Sequence, residues 1–425
     1  MRHIQFISLL FAAAAVFAAC DNTLGADDDN EAVIKDEEYD FHTIVRTKSD
    51  AEMTKAVNTF CFNLYNIGYA AGVNTLWSPM SFTSAMSMAA VGANGKTRTE
   101  ITDALGFTQM TMDDINDYNS KLVKTLLSSD PSIELSVDNS AWISELYKEK
   151  VKTSYTQQIS TFYDAEINYA DFSKAEDASK IINDWCSQKT DGQIKEIIYS
   201  GDIDDLTRLI LLNTVLFKGG WSSTNVFDAK NDFGTSFTSD SGQKVGVEMM
   251  AGNFDLPYFE DETTQAISLP FGNGALKFTI VLPSKEKSFE TFAQNFDYTQ
   301  WKQIKEKMAV KSLSVAIPRF EIELKSDGVK LMSQLGVTRA FDPLLADFNS
   351  IMNGIFISKI NHSTKLTLDE EGATASAATV IEFRAGSNGA QKSVPEFDFF
   401  ANHPFMFAIE ESSTGAILFI GSKVQ

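Results

Sequence analysis

The chain has 425 residues, with 57 Asp+Glu against 36 Lys+Arg and a formal net charge of −21 at pH 7. Hydrophobic residues make up 44% and aromatics 11%, which excludes an intrinsically disordered chain, because there is ample apolar surface to offset the entropy of ordering. The acidity argues against binding to nucleic acid or heparin-like polyanions, and three cysteines are too few for a disulfide framework.

Residues 1–19 are expected to be an export signal. Arg2 and His3 form a short basic start, and 4–16 is an apolar run shorter than the ~20 residues a membrane-spanning helix needs. The run ends in Phe17-Ala18-Ala19-Cys20. Small residues before a cysteine resemble the bacterial lipobox, whose cysteine takes lipid, although Phe17 stands where that pattern usually has Leu. Secretory cleavage after an alanine is the alternative. Residues 21–40 carry nine acids and one base, a charge of −8, so 20–46 is expected to be a solvated tether. The expectation is an exported bacterial lipoprotein at the cell envelope or surface, anchored through Cys20 or released. Removing the −8 and the +1 of Arg2 still leaves −14 on the body.

From residue 47 onward the composition is even and marks no internal domain boundary. Residues 51–68 place Met53, Val57, Phe60, Cys61 and Leu64 at helical spacing, with Asp50 as the expected cap. Residues 81–90 and 178–187 are two further helices. Residues 209–217 form a nearly continuous apolar run, the habit of a strand buried on both faces. Strands are also expected at 276–282, 313–317, 356–360, 365–368, 405–409 and 416–420. Helices early and strands late predict an α+β fold with large mixed sheets.

Conventional catalytic motifs are missing. His3, His42, His362 and His403 fit no metal-ligand spacing, and there is no GxSxG elbow. Gly92-Ala93-Asn94-Gly95-Lys96-Thr97 approaches a phosphate loop, but Ala90 occupies its first glycine position and a helix leads into it. Cys61 and Cys186 sit on apolar helix faces and read as structural thiols. No enzyme, cofactor or metal is expected.

One stretch stands apart: Glu370-Glu371-Gly372-Ala373-Thr374-Ala375-Ser376-Ala377-Ala378-Thr379, followed by a polar segment from Arg384 to Lys392. Small residues bury little area and hold a chain down weakly, yet they fit between close-packed strands. Such a segment can be a connector, or it can alternate between exposed loop and inserted strand.

The chain here resembles the serpin family over nearly its whole body, from about residue 50 to 425. The matching residues fall in order: Asn74-Thr75-Leu76-Trp77-Ser78-Pro79-Met80-Ser81, Gly92-Ala93, Ile182-Asn183-Asp184-Trp185, Leu211-Leu212-Asn213-Thr214 and Phe217-Lys218-Gly219-Gly220-Trp221. Val247-Glu248-Met249-Met250, Ile317-Pro318-Arg319-Phe320, Ala346-Asp347-Phe348, Glu370-Glu371-Gly372 and His403-Pro404-Phe405 complete the series.

The resemblance implies about nine helices around three β-sheets, with an exposed insertable reactive loop and one domain over 47–425. It implies a monomeric suicide inhibitor of serine, and by extension cysteine, endopeptidases. The cleaved loop inserts into the main sheet while the protease is still attached. The implied hinge is Glu370 to Thr379, with Ala373 and Thr374 where the family usually has Thr or Ser and then an acid. Ser78, Ser81, Asn213 and His362 are the implied sheet-opening cluster, with Trp221 at the top of the sheet and Arg319 paired to Glu370. Counting from Gly372 places the reactive bond at Gly386-Ser387, which suits elastase- or subtilisin-like proteases. A slipped register gives Arg384-Ala385, which suits trypsin-like ones. A non-inhibitory binding or carrier protein of the same family is the alternative.

Overall fold

A computed structural model describes residues 48–204, 206–374 and 396–425. Along the chain, α1 (Lys48–Gly68) leads through β1 (Thr75–Trp77) to α2 (Pro79–Gly92), α3 (Gly95–Ala104) and α4 (Met112–Ser128). Next come β2 (Glu134–Ser144), α5 (Thr153–Tyr163), β3 (Glu166–Ala170), α6 (Ala175–Lys189) and β4 (Leu209–Gly220). Strands β5 (Phe233–Thr238), β6 (Lys244–Glu260), β7 (Thr264–Phe271) and β8 (Leu276–Pro283) precede α7 (Phe289–Asn295) and α8 (Tyr298–Lys307). The chain continues as β9 (Ala309–Pro318), β10 (Phe320–Asp327), α9 (Gly328–Gln334), β11 (Asn361–Asp369) and β12 (Gly372–Thr374). It ends with β13 (Phe399–Phe400), β14 (Phe405–Glu411) and β15 (Ile417–Lys423).

The fold is α+β, with nine α-helices among the described residues. The smaller sheet has the order β10-β11-β12-β4-β2-β3, and the larger runs β1-β15-β14-β8-β7-β6-β9-β13 with β5 also on β6. Hydrogen bonding thus gives two continuous sheets where three are expected. The 17-residue β6 is the reason: it pairs with β5 through its first third, with β9 from Met249 to Tyr258, and with β7 at its end.

Helix α2 is cut to fit the core. Ser78 caps it by accepting from the Ser81 N–H at 3.2 Å, and Pro79 occupies its first turn, where a missing N–H costs nothing. Its small residues bury thirteen of fourteen positions, and Gly92 lets Ile351 press against the backbone. Opposite α2, on the other face of the smaller sheet, α6 and the segment after it cover the strands. Ile182, Trp185 and Cys186 pack with Trp142 of β2 and Leu212 of β4, joined by Ile194, Ile197 and Ile203. The same segment is tied to β10 and β11 by Glu196–Lys325 at 3.8 Å and by Asn361 donating to Asp202 at 3.3 Å.

Two local expectations differ from the structure. Helix α1 starts at Lys48, so Asp50 stands in its first turn and does not cap it; its carboxylate faces Lys121 at 3.9 Å. Residues 356–360 have no regular structure, and β11 begins at Asn361. The backbone of that run is engaged elsewhere: Ile357 N–H donates to Ala340 and the Ile360 carbonyl accepts from Gly328. Its side chains, with Ala85 and Ala89 of α2, line an apolar cavity.

Candidate functional site

After β11 the chain turns at Glu370-Glu371 and re-enters the sheet as β12. The turn requires Gly372, whose φ is +140° and whose Cβ, if it had one, would lie 2.1 Å from the Gly219 carbonyl oxygen. β12 is antiparallel to both neighbours. On β11, Asp369, Leu368 and Thr367 face Gly372, Ala373 and Thr374; on β4, Gly220 and Gly219 face Gly372 and Ala373. Strands β11 and β4 therefore run parallel to each other. Among the described residues no ladder joins them directly, and they meet only through β12. Ala373 is fully buried, as a residue on the inner face of a central strand should be.

The top of this junction is held by Trp221 and Arg319. The Trp221 N–H donates to the Glu371 carbonyl at 3.1 Å and its indole Nε1 donates to the Asp369 carbonyl at 2.9 Å. The indole stacks on Phe271 with centroids 4.9 Å apart and planes 8° from parallel. Arg319, in the bend between β9 and β10, donates through Nε to Glu370 and through Nη2 to Asp232. One guanidinium therefore serves two carboxylates.

Beneath the strands lies a buried polar group. Ser78 N–H approaches Nε2 of His362 at 3.4 Å, and Ser81 Oγ approaches the Asn213 carbonyl at 3.4 Å. His362 packs against Trp77 and Phe82, and burial pushes its imidazole down to about 3, so it is neutral at physiological pH. The Asn213 amide turns away from His362 and donates to Asn139 of β2 at 2.9 Å. Its Oδ1 is buried without a hydrogen-bond partner, an uncommon state for a buried amide oxygen.

Beyond residue 395 the chain is fastened again. β13 pairs in parallel with β9 through Phe399 and Phe400. Just before it, the Asp398 carboxylate accepts from the Ser314 N–H at 2.8 Å and hydroxyl at 2.7 Å. Gln265 donates to the Asp398 carbonyl at 3.0 Å. Segment 375–395 is thus bracketed by two anchored ends.

A sequence profile described as Serpin (serine protease inhibitor) matches residues 55–425. The chain belongs to the serpin family. An uncharacterized serpin-like protein of Thermococcus kodakarensis is 32% identical over 399 residues, covering 92% of this chain and 89% of the relative. Serpin B6 of Macaca fascicularis is 31% identical over 383 residues, covering 87% and 98%. The native structure of the thermophilic serpin tengpin matches with a TM-score of 0.75 and 25% identity, covering 89% of this chain and 95% of that one. A cleaved serpin 42Da matches with a TM-score of 0.76 at 22% identity, covering 89% and 99%, a likeness of fold.

Within this serpin, Glu370, Glu371, Gly372, Ala373 and Thr374 fall at the turn and in β12, alongside Trp221 and Arg319. Ser78, Ser81, Asn213 and His362 gather under β4 and β11. Ala375, Ser376, Ala377, Ala378 and Thr379, both proposed reactive bonds (Gly386-Ser387 and Arg384-Ala385), and Cys20 with the tether lie outside the described residues. Cys61 and Cys186 are buried, and burial raises both thiols, Cys186 to about 12, far from the range of a nucleophile. Asp232, Asn139, Ser314 and Asp398 are additions from the structure. Each lies far in sequence from its partner, and no local spacing announces it. No helix among the described residues is long and apolar enough to cross a membrane.

Proposed function

We propose that this serpin is a suicide-type inhibitor of serine, and by extension cysteine, endopeptidases. In this reading the protease acylates itself on the loop after Thr374, at Gly386-Ser387. The freed hinge then zips down between β11 and β4, trapping the acyl-enzyme. The observation that carries the reading is β12: three hinge residues already pair with β11, and two of them, Gly372 and Ala373, pair with β4 as well.

Extending that register is informative. Ala375 would sit beside Phe217 and Leu366, Ala377 beside Val215 and Thr364, and Thr379 beside Asn213 and His362. The inward positions are all small, so a close-packed strand fits there. Thr379 would also bring a hydroxyl to the neighbourhood of the unpartnered Asn213 Oδ1. Ala373 in place of a hydroxyl residue fits a fully buried position equally well.

Incubation with elastase, subtilisin and trypsin should give an SDS-stable complex of summed mass with at least one. Clean loop cleavage by all of them without a complex would overturn the reading in favour of a non-inhibitory carrier. The melting temperature after cleavage separates the two independently, because insertion raises it. We further propose export and lipid attachment at Cys20. Cys20→Ala should then shift the protein from membrane to soluble fractions of the producing cell.

A further inference from the structure

The turn that starts β12 is held by three charged groups, of which the resemblance supplied two. The third is Asp232, placed by the short turn Ala229–Asn231 at the entrance to β5. Its side chain is 9% exposed, against 16% for Glu370 and 30% for the Arg319 that binds both. Asp232 Oδ2 accepts from Arg319, whereas Oδ1 is buried without a hydrogen-bond partner. The same guanidinium binds the Glu370 carboxylate through Nε, which brings the two acids side by side.

As two carboxylates, these neighbours can only repel, since both accept and neither donates. With one proton on Asp232, the same contact becomes a hydrogen bond to Glu370, and Arg319 is left to neutralise Glu370 alone. We propose that Asp232 is a positioning residue of the hinge whose protonation state sets how firmly Arg319 and Glu370 pin the start of the inserting strand. The inference rests on the insertion mechanism proposed above.

The charges around Asp232 favour this switch. Arg319 comes from the β9–β10 bend and Glu370 from the β11–β12 turn. On β6, the Glu248 carboxylate lies against Gly234. On its own turn, Asp228 and Lys230 face each other at the surface, 3.8 Å apart. Burial first, and Glu370 second, raise the Asp232 carboxyl to about 6 despite Arg319. The folded value lies above the unfolded one. The stabilisation of the hinge is therefore full below about pH 4 and is lost as pH rises through 6. A pinned turn keeps Gly372 and Ala373 paired, so strand growth starts without delay. A loosened turn lets β12 detach, and the protease escapes more often.

The test compares wild type with Asp232→Asn, whose neutral amide can donate to Glu370 at every pH. The moles of inhibitor consumed per mole of protease trapped should fall in the wild type from pH 8 to pH 5, converging on a flat Asp232→Asn profile. Parallel profiles for the two proteins would overturn the inference. A second readout needs no protease: Asp232→Asn should raise the melting temperature by about 1–3 °C at pH 8 and leave it unchanged at pH 5. An equal shift at both pH values, or a fall at pH 8, would also overturn it. If the wild type traps no protease but the melting shift appears, the inhibitory reading fails and the role of Asp232 in holding the turn stands.

Discussion

Asp398 and Ser314 grip each other reciprocally: the carboxylate accepts from the serine N–H and hydroxyl, and the Asp398 N–H donates back to Ser314 Oγ at 3.0 Å. This clamp fastens a strand of only two residues, β13, to β9. In the proposed mechanism the uncut loop stays outside the sheet only while this far end holds. Ser314→Ala should therefore speed the spontaneous loss of inhibitory capacity several-fold at constant temperature, read as residual trapping activity against time. An unchanged rate would mean that β13 is held elsewhere.

The extended register makes a phase-specific prediction. In the inserted strand of the proposed mechanism, Ala377 would face inward opposite Val215 and Thr364, and Ser376 would face the other way, opposite Lys365. Ala377→Glu buries a charge in the closed sheet and should convert the inhibitor into a substrate, with cleavage and release in place of the complex. Ser376→Glu should leave complex formation within about twofold of wild type, since its carboxylate would stand beside the Lys365 ammonium, away from the apolar core. Equal damage from both would mean that the strand enters in another register.

Gly372→Ala tests the turn itself. The backbone at φ +140° disfavours any side chain by about 1–3 kcal/mol, and the new Cβ meets the Gly219 backbone, which cannot rotate away. β12 should be expelled, with lower yield of trapped protease and amide exchange at Ala373 approaching that of an unpaired strand. Retained protection at Ala373 would contradict this.

Acid should weaken the fold through two histidines. Burial holds His362 at about 3 and His403 at about 4, below the ordinary 6.5. Their stabilisation is fully present above pH 6.5 and is lost as pH falls, by up to about 1.4 kcal/mol per pH unit for each. Asp232 works in the opposite direction over part of this range. Denaturant unfolding at pH 7.5, 6 and 5 should show the decline, with a shallower slope for His362→Gln. A slope identical to wild type would show that His362 is not the group responsible.

Much of this was legible because local chemistry announces it. Apolar residues at helical spacing over 51–68 mark α1, and the nearly continuous apolar run 209–217 marks the buried β4. The apolar run 356–360 misled because apolar residues need a neighbour, not a ladder: these are only partly covered and line a cavity beside α2 without pairing to a strand. Asp232 was hidden for another reason. Its partners Arg319 and Glu370 lie 87 and 138 positions away, and a lone aspartate in a turn looks like any surface acid.

The parallel run of β11 and β4 gives the site a mechanical character. A strand entering between them gains partners on both sides with every residue, so advance is rewarded twice and retreat opposed twice. From Thr374, opposite Thr367, six more residues bring the hinge level with Asn361, a stroke of about 20 Å at ~3.3 Å per residue. Cargo fixed to the leading end would be hauled that distance by a device that works once and has no means of rewinding.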